Sequence, residues 1–268
     1  MKTKASQTGR GPFVSSQIPE GSRYELSDGH AIYCAPTGAR GSQSNLVGGA
    51  VLDTDPAVES AGVDTGFSPE PGMLRAPDIA VGNVPNEPGW VRGVPPLAVE
   101  YADVGQDEAE LHAKIAELLN AGTRYVWVVR LVGPRRVEVH EPGEPVRIVT
   151  GGDDLAAPGV LKNRVPVEAL YDREAAHEQV LRNLLQRKGY ESLEALRNEG
   201  KIEGKIEGKV EGVLVGRIES VQAALETRGI PLTDEARERL SRCRDLDVLD
   251  RWLRRAITMQ AGADEILD

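Results

Sequence analysis

Aromatic residues make up only 4% of this 268-residue chain, so aliphatic side chains must fill whatever core it builds. Cysteine is scarcer still. Cys34 and Cys243 stand far apart and form no CxxC, which argues against a disulfide framework or a zinc knuckle and leaves reduced thiols as the expectation. No run of about 18 apolar residues is present to span a bilayer. The basic start MKTKASQTGRGPFVSS is followed by no apolar segment of the kind a secretory leader carries. The expectation is a cytoplasmic protein with no membrane partner. Net positive charge is also missing: at −10, the chain has no general attraction for nucleic acid or an anionic membrane. Any polyanion must therefore be met by a local basic patch or a metal ion.

What is present suits a soluble globular chain, with 40% hydrophobic and 28% charged residues, long enough for one core and a smaller appendage. Residues 1–21 are rich in Ser, Gly, Pro and Lys without hydrophobic period and read as a flexible arm. A domain over residues 22–172 follows. In YELSDGHAIY, Asp28-Gly29 sits between two short apolar-alternating runs, a hairpin signal. Residues 35–70 read as loop, with SNLVGGAVL as one short element at most.

From 75 to 149 the runs APDIAVGN, PPLAVEYA, RYVWVVRLV, RVEVHEP and PVRIVT read as strands bounded by Pro, Gly or Asn. Between the second and third lies QDEAELHAKIAELLNAG, whose Leu111, Ile115, Leu118 and Leu119 recur at helical spacing. Strand, helix, strand with a crossover of this length predicts a βαβ unit and a parallel pair. GVLKNRVPVEALYD closes the domain, with Val165-Pro166-Val167 as an edge.

After Asp172 the composition turns to helix formers. A helical arm is expected over 173–230 and a small helical module over 231–268. The arm repeats KIEG with period four, placing glycines at 200, 204, 208, 212 and 216 beside an aliphatic row at 202, 206, 210 and 214. Each glycine costs about 1 kcal/mol against alanine, and the like charges fall at i,i+4 and repel. A helix here needs support from outside itself, so self-association as a homodimeric coiled coil competes with a flexible charged linker. Thr233, followed by Asp234 and Glu235, predicts a helix start.

The residues that suggest chemistry are two acids at the margins of neighbouring strand-like runs, Asp78 before IAV and Glu100 after PLAV. If those strands pair, the carboxylates sit at fixed separation, as a hard divalent cation such as Mg²⁺ or Mn²⁺ requires. Lys114 on the following helix is placed to steady an attacking water or developing negative charge. Each residue taken singly has a plain reading, as turn acid, solvated strand acid or exposed helix lysine. The combination is more specific than its members. Competing motifs fail: GKIEGK lacks the spacing and the Ser or Thr of a phosphate loop. The four histidines have no zinc-hydrolase spacing, and the three tryptophans are too dispersed for a stacking row.

YELSDGHAIY, PDIAV, PPLAVEY, the acidic helix with its lysine, AGTRYVWVV and RVEVH together resemble the Uma-type restriction endonuclease family of the PD-(D/E)xK nuclease superfamily. The resemblance covers about Arg23 to Asp172. It implies an α/β fold of the α+β type: a mixed sheet with a restriction-endonuclease-like core, here with a helical C-terminal extension. It also implies Asp78 and Glu100 as metal ligands, Lys114 as the catalytic lysine and Glu25 as an additional acid. Ala102 stands two after Glu100, where many relatives keep lysine, so the chemistry depends on Lys114 reaching in from the helix. The tail resembles C-terminal regions of transposase-like nucleases of the same superfamily. The implied activity is metal-dependent DNA cleavage, with Arg92, Arg124, Arg130, Arg135 and Arg136 expected to border the cleft. The alternative is a degenerate nuclease fold that serves as an oligomeric interaction scaffold.

Overall fold

The computed structural model describes residues 11–268 and divides the chain into two compact units, Met1–Ser192 and Leu193–Asp268. In the first unit the hairpin β1 (Tyr24–Ser27) and β2 (His30–Tyr33) is followed by helix α1 (Ala39–Asp53) and strands β3 (Ala61–Val63), β4 (Ile79–Val81) and β5 (Leu97–Ala102). Helix α2 (Glu108–Asn120) leads to β6 (Tyr125–Arg130), β7 (Arg136–His140) and β8 (Arg147–Thr150). The short β9 (Asp154–Leu155), β10 (Val165–Pro166) and helix α3 (Arg173–Arg187) complete it. The central sheet is six-stranded in the order β3-β4-β5-β6-β7-β8, antiparallel except for the β5–β6 pair. The parallel pair is the one that α2 crosses over, because a parallel connection needs an intervening helix and an antiparallel one does not. The result is the mixed α/β sheet implied by the resemblance.

Alternation along β5 distributes its side chains to two cores. Leu97, Val99 and Tyr101 pack with Val47, Val51 and Leu52 of α1, while Ala98 and Ala102 pack with Leu111, Ile115 and Leu118 of α2. Glu100 belongs to the second set by position, and this places its carboxylate on the α2 face. Asp107 caps α2 by accepting from the N–H groups of Ala109 and Glu110.

Helix α1 lies where a loop is expected. Three glycines, at 41, 48 and 49, weaken its intrinsic propensity, and tertiary packing overrides that weakness. Gly48 is required by the packing itself. A Cβ there would stand 2.0 Å from the Tyr101 hydroxyl oxygen, and that hydroxyl donates to Leu170 O at 2.8 Å.

The expected flexible arm over 1–21 needs correction. Residues 1–10 lie outside the described part, but Ile18 is buried against Leu26 and Leu74, with Phe13 and Trp90 beside it. Apolar side chains at 13 and 18 thus attach this stretch to the domain. The expected boundary at Asp172 moves as well, because α3 packs on α1 within the first unit. Arg187 secures that contact: its guanidinium donates to the carbonyls of Asp53, Thr54, Asp55 and Val58 at 2.7–2.9 Å, where α1 ends. Removing a cationic donor shared by several carbonyls costs about 1.5–3 kcal/mol when partly shielded. Arg187→Ala is therefore expected to lower the urea midpoint by about 1–2 kcal/mol of stability, given its partial exposure, with the m-value unchanged.

In the second unit α4 (Leu193–Thr227) is a 35-residue helix followed by α5 (Asp234–Arg242), α6 (Leu246–Thr258) and α7 (Ala263–Ile266). The glycine repeat is helical. Only the last part of α4 is packed: Val221 and Leu225 are buried among Leu240, Leu249, Trp252 and Ile266, while Gly200, Gly204, Gly208, Gly212 and Gly216 face open space. Ile202, Ile206 and Val210 remain exposed. Thr233 caps α5 by accepting from the N–H of Ala236. Among the described residues no helix is long and apolar enough to cross a membrane.

Candidate active site

The register of the sheet answers why acids mark the ends of adjacent strands. Val63 pairs with Ile79 and Ile79 with Val99. One step further, the same register sets Asp64, Asp78 and Glu100 side by side across β3, β4 and β5. Directly opposed residues of antiparallel strands share a face, so the three acids line the α2 side of the sheet. Asp78 accepts a 2.6 Å hydrogen bond from the backbone N–H of Tyr101, which ties its carboxylate to the end of β5.

Lys114 reaches into this row from α2. Its Nζ lies 2.8 Å from Glu100 Oε1 and donates to Glu25 Oε1 at 3.1 Å and to Ala76 O at 2.7 Å. The contact with Glu100 is a close ion pair at a buried carboxylate oxygen that has no other polar partner among the described residues. All four residues singled out in the sequence, Glu25, Asp78, Glu100 and Lys114, are thus gathered in one place.

Electrostatics at the site is a contest between burial and a single ammonium group. Burial pushes the Glu100 carboxyl up to about 8, against the pull of Lys114 and with the added repulsion of Asp78. Asp78 is raised for the same reason, and Lys114 and the Tyr101 N–H work against the rise. Burial by itself would lower Lys114, but Glu100, Glu25 and Asp78 outweigh it and hold the ammonium well above its usual range. The site is an anionic cradle with one fixed cation. Cys34 faces the same charges: burial and Glu25 push its thiol up to about 11, so it stays protonated at neutral pH.

Two residues went unnoticed in the sequence. Arg75, three before Asp78, is completely buried and holds Glu25 (3.1 Å), Glu110 (2.5 Å) and Glu117 (2.5 Å). It anchors the β1–β2 hairpin to α2 and so fixes the Glu25 carboxylate that in turn holds Lys114. An arginine three residues before an acid carries no sequence signal for three partners so distant along the chain. Asp64 is the other, and its signal was a lone acid in VDTG, inside the stretch read as loop.

The expected arginine border is absent. Arg130 pairs with Glu108 and Glu138, Arg136 pairs with Glu138, Arg135 lies over the Tyr171 ring at 4.7 Å, and Arg124 donates to Gly159 O. None of these, nor Arg92, lines the cleft of about 350 Å³ above Glu100 and Lys114, whose mouth instead carries Asp103, Asp107 and Glu110. Arg40, on α1, is spent on Asp103.

Among the described residues no three His, Cys, Asp or Glu side chains converge tightly enough to hold a metal ion unaided. The donors that are present suit a hard ion of another kind, one that takes one or two carboxylates and completes its shell with water and substrate oxygen. The buried Glu100 carboxylate beside Asp78, with Lys114 as the near partner of its Oε1, is the feature that fits.

Residues 13–168, more than half of the chain, match the model of the family Uma2, described as "Putative restriction endonuclease". The chain belongs to the Uma2 family. Its fold is shared with the crystal structure of "a putative nuclease belonging to DUF820" from Anabaena variabilis ATCC 29413. That likeness has a TM-score of 0.50 at 16% identity and covers 60% of this chain and 96% of the other. No curated protein matches the chain. The Uma2 match begins within the stretch around Phe13 and Ile18 that packs on the hairpin, so this stretch belongs to the family domain. Membership supports a nuclease-type hydrolase in general terms, and restriction-endonuclease-like families generally use divalent metals.

Proposed function

We propose that this Uma2 protein is a metal-dependent endonuclease that hydrolyses DNA phosphodiester bonds at the Asp78–Glu100–Lys114 cradle. The observation that carries the reading is the pairing of Lys114 with Glu100 on the wall of an open cleft, with Asp78 buried beside them at the start of the adjacent strand. Asp78 and Glu100 would hold Mg²⁺ or Mn²⁺, and the ion would supply an activated water and offset charge on the phosphate. Lys114 would donate to that water or to the developing oxyanion. Glu25 orients the ammonium, with Arg75 behind it. The acidic mouth disfavours a free phosphate backbone, so the cation is needed for substrate approach as well as chemistry.

The test is cleavage of plasmid and single-stranded DNA by the purified full chain with Mg²⁺ or Mn²⁺. Asp78→Ala and Glu100→Ala are expected to abolish metal-dependent cutting while leaving the circular dichroism spectrum unchanged. Cutting that persists in both, or never occurs, transfers the function to the alternative below. A second check needs no turnover. A cation at Glu100 must displace the proton that burial retains there up to about 8. Calorimetric Mg²⁺ affinity is therefore expected to rise with pH towards that value and level off above it. An affinity that falls with rising pH contradicts the assignment.

One observation favours a second reading, a nuclease-fold scaffold assembled through its C-terminal unit. The exposed row Ile202, Ile206, Val210 and Val213 on α4 lies along glycines that face open space, as close helix pairing would need. A homodimer through this helix is compatible with either function.

A further inference from the structure

A second cavity, of about 270 Å³, adjoins the cradle on its hairpin side and shares Glu25 and Ala76 with it. It is lined by Tyr24, Thr37, Asp64, Trp90 and Ser22, and the catalytic proposal uses none of these residues. We propose that this cavity binds one unpaired nucleobase of the substrate, guanine in preference to the others, next to the bond to be cut. The inference rests on the nuclease reading for its substrate and deepens it.

Its walls are aromatic and fixed. Trp90 donates from Nε1 to Ile18 O at 3.0 Å, and its ring lies against Gly66, where any Cβ would come within 2.5 Å of it. Tyr24 stacks edge-on with Tyr33 at 5.7 Å between ring centres, and these two are the only exposed aromatic rings among the described residues. In a chain so poor in aromatics, two rings on one cavity, Tyr24 and Trp90, with Tyr33 braced against the first, make a surface on which a base can stack. Such stacking is worth about 1–3 kcal/mol per base in nucleic-acid-binding proteins.

The polar groups select by hydrogen bonding. Asp64 follows β3 in a left-handed conformation (φ 50°) and its carboxylate accepts no hydrogen bond among the described residues, while Lys114 and Glu25 act on it only through space. The Ser22 hydroxyl is buried without a hydrogen-bond partner among the described residues. Asp64 and the Ser22 hydroxyl favour N–H donors, while Arg23, also on the wall, can meet the adjoining phosphate. Guanine offers N1–H and its 2-amino group to one carboxylate at once. Adenine and cytosine offer an amino group beside a ring acceptor, and thymine offers one N–H flanked by two carbonyls. In a duplex these edges are already paired, so the base must be unpaired or drawn out of the stack. The neighbouring cradle then faces the phosphate that joins it to the next nucleotide.

The experiment measures binding of a fluorescent oligothymidylate with or without one central guanine to the full chain, in Ca²⁺ to hold back cleavage. Wild type is expected to bind the guanine oligomer about tenfold more tightly, the scale of a two-point base contact. That advantage should vanish in Asp64→Asn, shrink in Tyr24→Leu, and shrink when hypoxanthine, which lacks the 2-amino group, replaces guanine. The hypoxanthine arm reads the pocket in unaltered protein, so a misfolded variant cannot decide the result. Equal affinity for the two oligomers, no binding of either, or an advantage untouched by Asp64→Asn and by hypoxanthine overturns the proposal. Guanine preference without Mg²⁺- or Mn²⁺-dependent cleavage keeps the pocket and removes the nuclease reading. Cleavage without base preference does the reverse.

Discussion

Arg75→Met is expected to cost the first unit about 3–5 kcal/mol, the usual effect of stripping one partner from a buried ion pair. For a unit of this size the loss corresponds to a fall in Tm of roughly 10 °C. The guanidinium is fully buried and forms close ion pairs with Glu25, Glu110 and Glu117. Methionine fills much of the same volume, so the loss is mainly one of charge: it leaves Glu25 buried with only Lys114 to offset it. If that is the cause, adding Glu25→Gln to Arg75→Met should restore part of the stability, although the same change alone in wild type should destabilise. A calorimetric scan of the four proteins forms a double-mutant cycle. A drop below about 1 kcal/mol for Arg75→Met, the value of an exposed pair, would mean that the arginine is a spectator and that the hairpin is held to α2 by packing alone.

The cycle also bears on what was legible in the sequence and what was not. The βαβ unit could be read because alternation in PPLAVEYA and RYVWVVRLV, and helical spacing between them, are local signals. So could the candidate acids, because Asp78 and Glu100 interrupt apolar runs. Helix α1 could not, since Gly41, Gly48 and Gly49 argue against a helix and only Tyr101, half the domain away, explains Gly48. Arg75 and Asp64 were invisible for the same reason. Their partners come from β1, α2 and the register of β3 on β4, and long-range contacts leave no mark on neighbouring residues. The five arginines expected at the cleft show the converse error. Charge in a sequence says nothing of which acids will consume it, and Glu108 and Glu138 consume two of them.

Lys114→Met is expected to lower metal-dependent cleavage by about 10²–10³-fold, the scale on which single preorganised donors act on developing charge. The same substitution should also destabilise the protein without metal, because Glu100 and Glu25 lose the ammonium that lies 2.8 and 3.1 Å away. The two effects separate on adding Mg²⁺. If Asp78 and Glu100 hold the cation, it supplies part of the missing positive charge, and the Tm of Lys114→Met should rise more with Mg²⁺ than that of wild type. Cleavage should stay low, since a cation bound by the acids supplies charge but not the N–H donors of the ammonium. The loss should fall on kcat rather than KM, as it does for an interaction made mainly in the transition state. A lysine that merely filled a buried site would give the opposite pattern: Mg²⁺ would stabilise both proteins equally, and cleavage would return once the variant was folded.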